Sequence, residues 1–348
     1  MLSGLGVAGY RAASFVQQEF ELTRAAMAAT VVSDAPRMRA DAPPISPHTE
    51  LNYVVEQSGM FMGVADEMLL SPLTDSPVTM VKFNKGGSSI SLRIDFANGA
   101  RAAFKPRQSN LQSVPRREVV AFRLNRLLGL SSVPPAIGRR FQMAELLDHL
   151  HPESVWHRPR LEAEMIQEDG WVVGELSWWI PVIYRGKVDG FEMDSMEGIV
   201  SWKRYLEIGA HIPAAQRPLI AQISDMVLFD FLISNPDRWS GNNARVSKDQ
   251  KLLYFMDNTL SFGDNPNGNL KSRTYLERSK VFSAALVTRL RELREADVRR
   301  VLNVDIEPFD YYLEDVEITA LMSRRDRALE YIDSLIALHG EEAVLAFP

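Results

Sequence analysis

Two acids and an amide frame the chemistry open to this chain. An apolar run, 226–233, ends in a polar loop holding Asp237, with Asn242 and Asn243 five and six residues on. A strand-like run, 251–256, then delivers Asp257, with Phe262 and Gly263 behind it. A loop acid, an amide about five residues later, a strand and a second acid is the pattern of kinase-type phosphoryl transfer. The first acid handles the nucleophile, while the amide and the second acid hold the metal that bridges the phosphates. Asn242 suits the amide place by its spacing, with Asn243 next in line. The same residues also suit a polar loop between a helix and a hairpin, with Asp237 as a cap or turn residue. The elements upstream decide between the two.

Residues 78–106 read as a small antiparallel sheet. Ile90, Leu92, Ile94 and Phe96 alternate with polar residues as a half-buried strand does. Asn98-Gly99 is a strong hairpin signal. Gly86, Gly87 and Ser88 form another hairpin loop, whose glycines let backbone N–H groups approach phosphate oxygens. A plain turn accounts for them equally well. Lys105 closes the last strand, with Pro106 expected to stop it, and can reach phosphates held under the preceding hairpin. Such a lysine needs a carboxylate partner, and Glu118 is the candidate. It opens a run that is helical by the spacing of Val119, Phe122, Leu124 and Leu127, with Gly129 as its stop. Taken alone, Glu118 also fits the helix macrodipole and Lys105 a solvated strand end. Taken in order, strand, glycine loop, strand-Lys, helix-Glu, loop-Asp-Asn and strand-Asp complete the parts for binding ATP and metal and transferring the γ-phosphate.

Composition sets the outer bounds. The 348 residues suffice for two lobes, and 46% hydrophobic content suffices for a core. A net charge of −6 argues against a nucleic-acid binder. The absence of cysteine excludes disulfides and thiolate metal sites. No apolar run is long enough to span a membrane, and the first residues make a poor signal peptide. The chain divides on this reading into an N-terminal helix and Pro-rich linker (1–48), a sheet-bearing lobe (49–170) and a mainly helical lobe (171–348). Helices are expected at 50–71, with Met60, Phe61 and Met62 in the core, and at 281–303 and 315–339. His149, His151 and His157 read as an exposed loop connecting the lobes, with zinc as the lesser reading. Trp171, Trp178 and Trp179 read mostly as core. Ser272, Thr274 and Tyr275 sit where a substrate platform would lie, and Arg324, Arg325 and Arg327 read as a solvated face.

Several runs together resemble the Golgi casein kinase and four-jointed family of secretory-pathway kinases. They are Phe104-Lys105-Pro106, Glu118 to Arg126, Val133-Pro134-Pro135, Gly174 to Pro181, Asn235-Pro236-Asp237-Arg238 and Asp257-Asn258 with Phe262-Gly263. The resemblance covers about 84–265. It implies a two-lobed α+β protein-kinase-like fold with a small antiparallel-sheet N-lobe and a mainly helical C-lobe. It further implies Lys105 on the α/β-phosphates, Glu118 orienting Lys105 or assisting the metal, Asp237 as base, and Asp257 with Asn242 on manganese or magnesium. The activity implied is ATP-dependent transfer to a hydroxyl, first of all Ser/Thr of a protein. A sugar or lipid acceptor, nucleotidyl transfer, and a non-catalytic pseudokinase remain alternatives. The casein-kinase branch carries His-His after its Asp-Arg, where this chain has Trp239 and Ser240. Lacking Cys and glycosylation sequons, the chain reads as a bacterial-type relative with a cytoplasmic address, an exported location being the alternative that the resemblance implies.

Overall fold

The computed structural model describes residues 59–239 and 243–348. The expected N-terminal helix and linker, the start of the 50–71 helix, and Asn242 lie outside the described residues. Met60–Phe61 and Val64–Ala65 pair as a minimal hairpin. Helix α1 follows only at Asp66–Thr74. Met62 and Gly63 take left-handed φ values of 53° and 80°, which turns the chain where a helix was expected. Of the three residues assigned to the core there, Phe61 is buried and Met60 and Met62 are exposed.

The main sheet contains β1 (Val78–Phe83), β2 (Leu92–Phe96), β3 (Arg101–Pro106), β4 (Ala136–Gln142) and β5 (Trp171–Trp178). Its order is β1-β2-β3-β5-β4, with Gln167–Glu168 also paired to β5 and every pairing antiparallel. Strand β5 is therefore a central strand that begins beyond residue 170. Pro106 remains inside β3, and the ladder continues past it through Arg107 N–H to Val173 O at 2.7 Å. Alternation gives the sheet two faces. Ile94, Phe96, Ala102, Phe104, Val172 and Leu176 pack on the outer one, under the helices at 143–148 and 158–164. Lys105 and Glu175 are opposite each other in register and share the other face. Gly174 permits this close pairing, since a Cβ there would collide with Lys105 O and the Phe104 ring.

The segment with the three histidines does not connect the lobes. His151 caps the 3₁₀ helix Pro152–His157, and His157 stacks on Phe83 with ring centres 3.8 Å apart. No three His, Asp or Glu side chains among the described residues converge as a metal cluster.

Helix α2 (Arg116–Leu127) lies under the inner face of the sheet. Its Val119, Val120, Phe122 and Leu124 join the core of the helical lobe. That lobe contains α3 (Arg217–Leu232), the small sheet of β6 (Tyr184–Arg185), β7 (Ala244–Val246) and β8 (Leu253–Phe255), α4 (Leu270–Glu277) and α5 (Asp315–His339). The 281–303 region is two helices, Ala284–Glu292 and Glu295–Leu302, while the expected 315–339 helix is continuous. Arg324 is a correction. It is fully buried, its guanidinium held by carbonyls of Leu232, Gly263 and Asn265 at 2.7–3.1 Å, because α5 packs on α3 at that turn.

Candidate active site

Strand β3 directs Lys105 inward, and β8 ends two residues before Asp257. Their side chains meet across 152 positions of sequence, with Lys105 Nζ donating to Asp257 Oδ1 at 2.5 Å. The lysine side chain is 12% exposed and the aspartate 41%, so the pair sits at the wall of an open cleft. The cleft measures about 380 Å³, within the range of small-molecule sites. Asp257 takes φ 58°, an uncommon conformation for a non-glycine residue. Thr259 Oγ1 also donates to its carboxylate, at 3.1 Å.

Glu118 lies near the lysine but does not bond it. Both its oxygens accept from Asn258, from the main-chain N–H at 2.6 Å and from Nδ2 at 2.8 Å. The direct partner of Lys105 is Asp257, and Glu118 acts on the lysine only through its charge. Sequence reasoning missed a third carboxylate, Glu175. It is 1% exposed, faces the cleft beside Lys105, and accepts from Ser177 Oγ at 2.8 Å. The available signal was its place as the single charged residue in the apolar run 171–180.

The electrostatics follow from one amine among three acids. Burial lowers the Lys105 pKa, but Asp257, Glu118 and Glu175 outweigh it and hold the value above that of an ordinary lysine. Burial pushes Glu118 up, with Lys105 pulling it back. Burial and then the Glu118 charge push Glu175 well above the carboxylate range. Burial acts upward on Asp257 too, yet the Lys105 charge and hydrogen bond bring it below its ordinary value. A surplus of acid over base in a cleft suits a divalent cation. Magnesium-type ions are held by one or two carboxylates together with substrate phosphates, so no all-protein cage is required. Asp257 fits that role.

Asp237 is half-buried in the loop after α3. Its main-chain N–H donates to Asn235 Oδ1 at 2.9 Å, and Asn243 Nδ2 donates to its Oδ2 at 3.3 Å. Asn243 lines the cleft, which leaves Asp237 one hydrogen bond from its wall. Arg238, fully buried, grips Asp230 through both carboxylate oxygens at 3.0–3.2 Å and also donates to Met256 O. Trp239 stacks on Trp202 at 4.8 Å.

The glycine hairpin is less closely joined to the site. Asn84 and Ser91, at its base, line the cleft, while Gly86, Gly87 and Ser88 do not. Gly86 has φ 114°, accessible to glycine and strained for other residues. Trp178 and Trp179, read from the sequence mostly as core, line the cleft beyond Ser177. In the expected substrate platform Ser272 is buried at the start of α4, where Asn269 caps it, and Thr274 Oγ1 donates to Leu270 O.

The family model of the four-jointed box protein middle domain matches residues 74–306. The human extracellular serine/threonine protein kinase FAM20C is 24% identical over 240 residues, 57% of this chain and 41% of that protein. The mouse pseudokinase FAM20A is 24% identical over 308 residues, 75% of this chain and 56% of that protein. The chain thus spans about half the length of these relatives. Human glycosaminoglycan xylosylkinase is 21% identical over 306 residues, 74% and 72% of the two chains. A crystal structure of the Golgi casein kinase superposes with TM-score 0.65 at 16% identity, covering 82% of this chain and 79% of that one. The same kinase with Mn/ADP bound gives 0.64 at 16% identity, with 82% and 80% covered. A hydra Fam20 with sugar gives 0.62 at 17% identity, with 84% and 97% covered. The fold is thus the α+β, two-lobed kinase-like one expected. No helix among the described residues is long and apolar enough to cross a membrane. The expected cytoplasmic address gains no support from relatives of which one is named extracellular.

Proposed function

Because the chain belongs to the four-jointed family of atypical kinases, we propose that it transfers the γ-phosphate of ATP to a hydroxyl, with Ser/Thr of a protein as the first acceptor class. The observation that carries this reading is the Lys105–Asp257 pair, which joins sheet lobe to helical lobe at a cleft of nucleotide size. A manganese or magnesium ion would supply charge neutralisation for the transferring phosphate. Asp257 would hold it, with Asn243 or Asn242 as the amide ligand. Lys105, kept cationic by its three acids, binds phosphate oxygens. Asp237 orients the acceptor hydroxyl and takes its proton as the oxygen attacks the γ-phosphorus and the bond to the bridging oxygen of ADP breaks. Gly86, Gly87 and Ser88 cover the phosphates from the hairpin. We take the lobes to divide after β5.

The pseudokinase reading predicts the loss of one of Lys105, Asp237 and Asp257, and all three are present. A sugar hydroxyl is the second acceptor class, favoured by the relation to the xylosylkinase over 72% of that protein. Incubation with γ-³²P-ATP and Mn²⁺, wild type beside Asp237→Ala, tests the reading on casein, on a xylose-bearing glycan and on the chain itself. Label in wild type alone is the expected result. No label on any acceptor, with nucleotide binding intact, would favour the pseudokinase.

A further inference from the structure

Two cations line the cleft, Lys105 and Arg245, and they stand differently. Lys105 already has Asp257 as its partner, with two further acids acting on it. Arg245, in the middle of β7, is half-buried, and its guanidinium has neither ion pair nor hydrogen bond among the described residues. Its cross-strand neighbours do not explain it. Directly opposite in β6 is Arg185, whose own charge goes to Glu192, and like charges set opposite each other in a ladder destabilise a sheet. Tyr254, opposite in β8, turns its ring to Phe61 instead.

Register fixes where along the cleft this cation lies. Ala244 and Val246 point into the core of the helical lobe, so Asn243 and Arg245 share the other face, the one that lines the cleft. Two residues of strand advance the chain by about 6.6 Å. That step leads from the amide that bonds Asp237 toward Ile183, which lines the cleft and immediately precedes β6. Near Asn243 the cleft is charged, and near Ile183 its wall is made by Trp179, Ile180 and Pro181. A nucleotide with its terminal phosphates at Asp257 and its base against that apolar wall brings its α-phosphate over Arg245. A guanidinium fork matches phosphate oxygens two at a time.

We propose that Arg245 is a further nucleotide-binding residue, taking the α-phosphate from the helical lobe while Lys105 works from the sheet lobe. The inference rests on the kinase reading and deepens it, since that reading otherwise leaves one engaged lysine to meet a polyphosphate in an acid-rich cleft.

Calorimetric titration with ADP and Mn²⁺, and separately with adenosine, tests it on wild type, Arg245→Met and Arg245→Lys. Methionine keeps an apolar stem and removes the fork. Arg245→Met is expected to bind ADP about 10- to 100-fold more weakly, the scale of a charge-assisted hydrogen bond. Adenosine should stay within about twofold of wild type, because it lacks the phosphate. Arg245→Lys should fall between, since an ammonium keeps the charge without the fork. In turnover, KM for ATP should rise with kcat nearly unchanged, as for a contact equal in ground and transition states. Without nucleotide, Arg245→Met should melt no lower than wild type, because a like-charge pair is relieved. Unchanged ADP affinity, or ADP and adenosine weakened alike, would overturn the proposal, and so would a clearly lowered melting temperature. Arg185→Met controls for charge alone. It should leave ADP affinity within about twofold, and a loss equal to that of Arg245→Met would also overturn the contact. If ADP binds as expected and no acceptor is labelled, the kinase reading falls while Arg245 stands. If wild type binds no ADP, both fall.

Discussion

The cleft is bordered by segment 256–265, which carries Asp257, and by hairpin 84–91, which carries the two glycines. Two fully buried arginines bracket the first. Arg238 holds Met256 O at one end, and Arg324 holds Gly263 O and Asn265 O at the other. The hairpin is closed at its base by Asn84 and Ser91, with 2.9 Å between the main chains and 3.0 Å between the side chains. Its tip is held by the exposed contact of Arg160 with Ser88 O at 2.9 Å. One border is held by buried arginines, while the other is anchored at Ile90 by buried Gln108 and held at its tip only from the surface. Preorganised groups belong where charge develops, and adaptable backbone suits a ligand that enters and leaves.

The largest effects should fall on the acid border. Asp257→Ala is expected to lower phosphate transfer by about a thousandfold or more, the scale of losing a group that stabilises the transition state. A variant retaining a tenth of wild-type rate, with its fold intact by circular dichroism, would end the assignment. Arg238→Met leaves Asp230 buried and unpaired, and about 3–5 kcal/mol of stability should go with it. Urea unfolding measures this, and a loss under about 1 kcal/mol would show that the bracket is dispensable.

A pH effect comes next. Asp225 lies on α3, whose Leu232 carbonyl Arg324 holds. Its Oδ1 is buried without a hydrogen-bond partner among the described residues, and burial pushes its carboxyl up to about 7. The folded state therefore favours the protonated acid more than the unfolded chain does. This contribution is complete below about pH 4 and is lost as pH rises through about 7. Melting temperatures from pH 4 to 8 should decline less for Asp225→Asn than for wild type, and parallel curves would refute the assignment. The smallest effect belongs to the hairpin. Arg160→Ala is expected to raise KM for ATP about two- to fivefold with kcat nearly unchanged. An equal fall in kcat would place Arg160 with the preorganised groups instead.

What could be read from the sequence was mostly local. The alternation of Leu92, Ile94 and Phe96 and the helical spacing after Glu118 gave elements that the structure contains within a few residues. Lys105 and Asp257 were singled out by their places at strand ends, and they meet. What failed was choice of partner. Glu118 was matched to Lys105, but Asn258, 140 positions away, presents two donors to it and takes both oxygens. Arg324 read as solvated because its neighbours on α5 are polar, and only the packing of α5 on α3 buries it. Met60 and Met62 looked like helix core because periodicity cannot register a two-residue turn.

Helix α2 also bears on how the chain is made. It is synthesised early, yet Arg116 and Arg117 pair with Glu317, and Arg123 donates to Val301 O, 178 to 201 positions downstream. At ribosomal speeds of 5–20 residues per second, those partners follow by roughly 10–40 s. Over that interval Val119, Val120, Phe122 and Leu124 have no helical lobe to cover them. The nascent sheet lobe therefore waits with its underside open, a natural client for chaperones until the last long helix emerges.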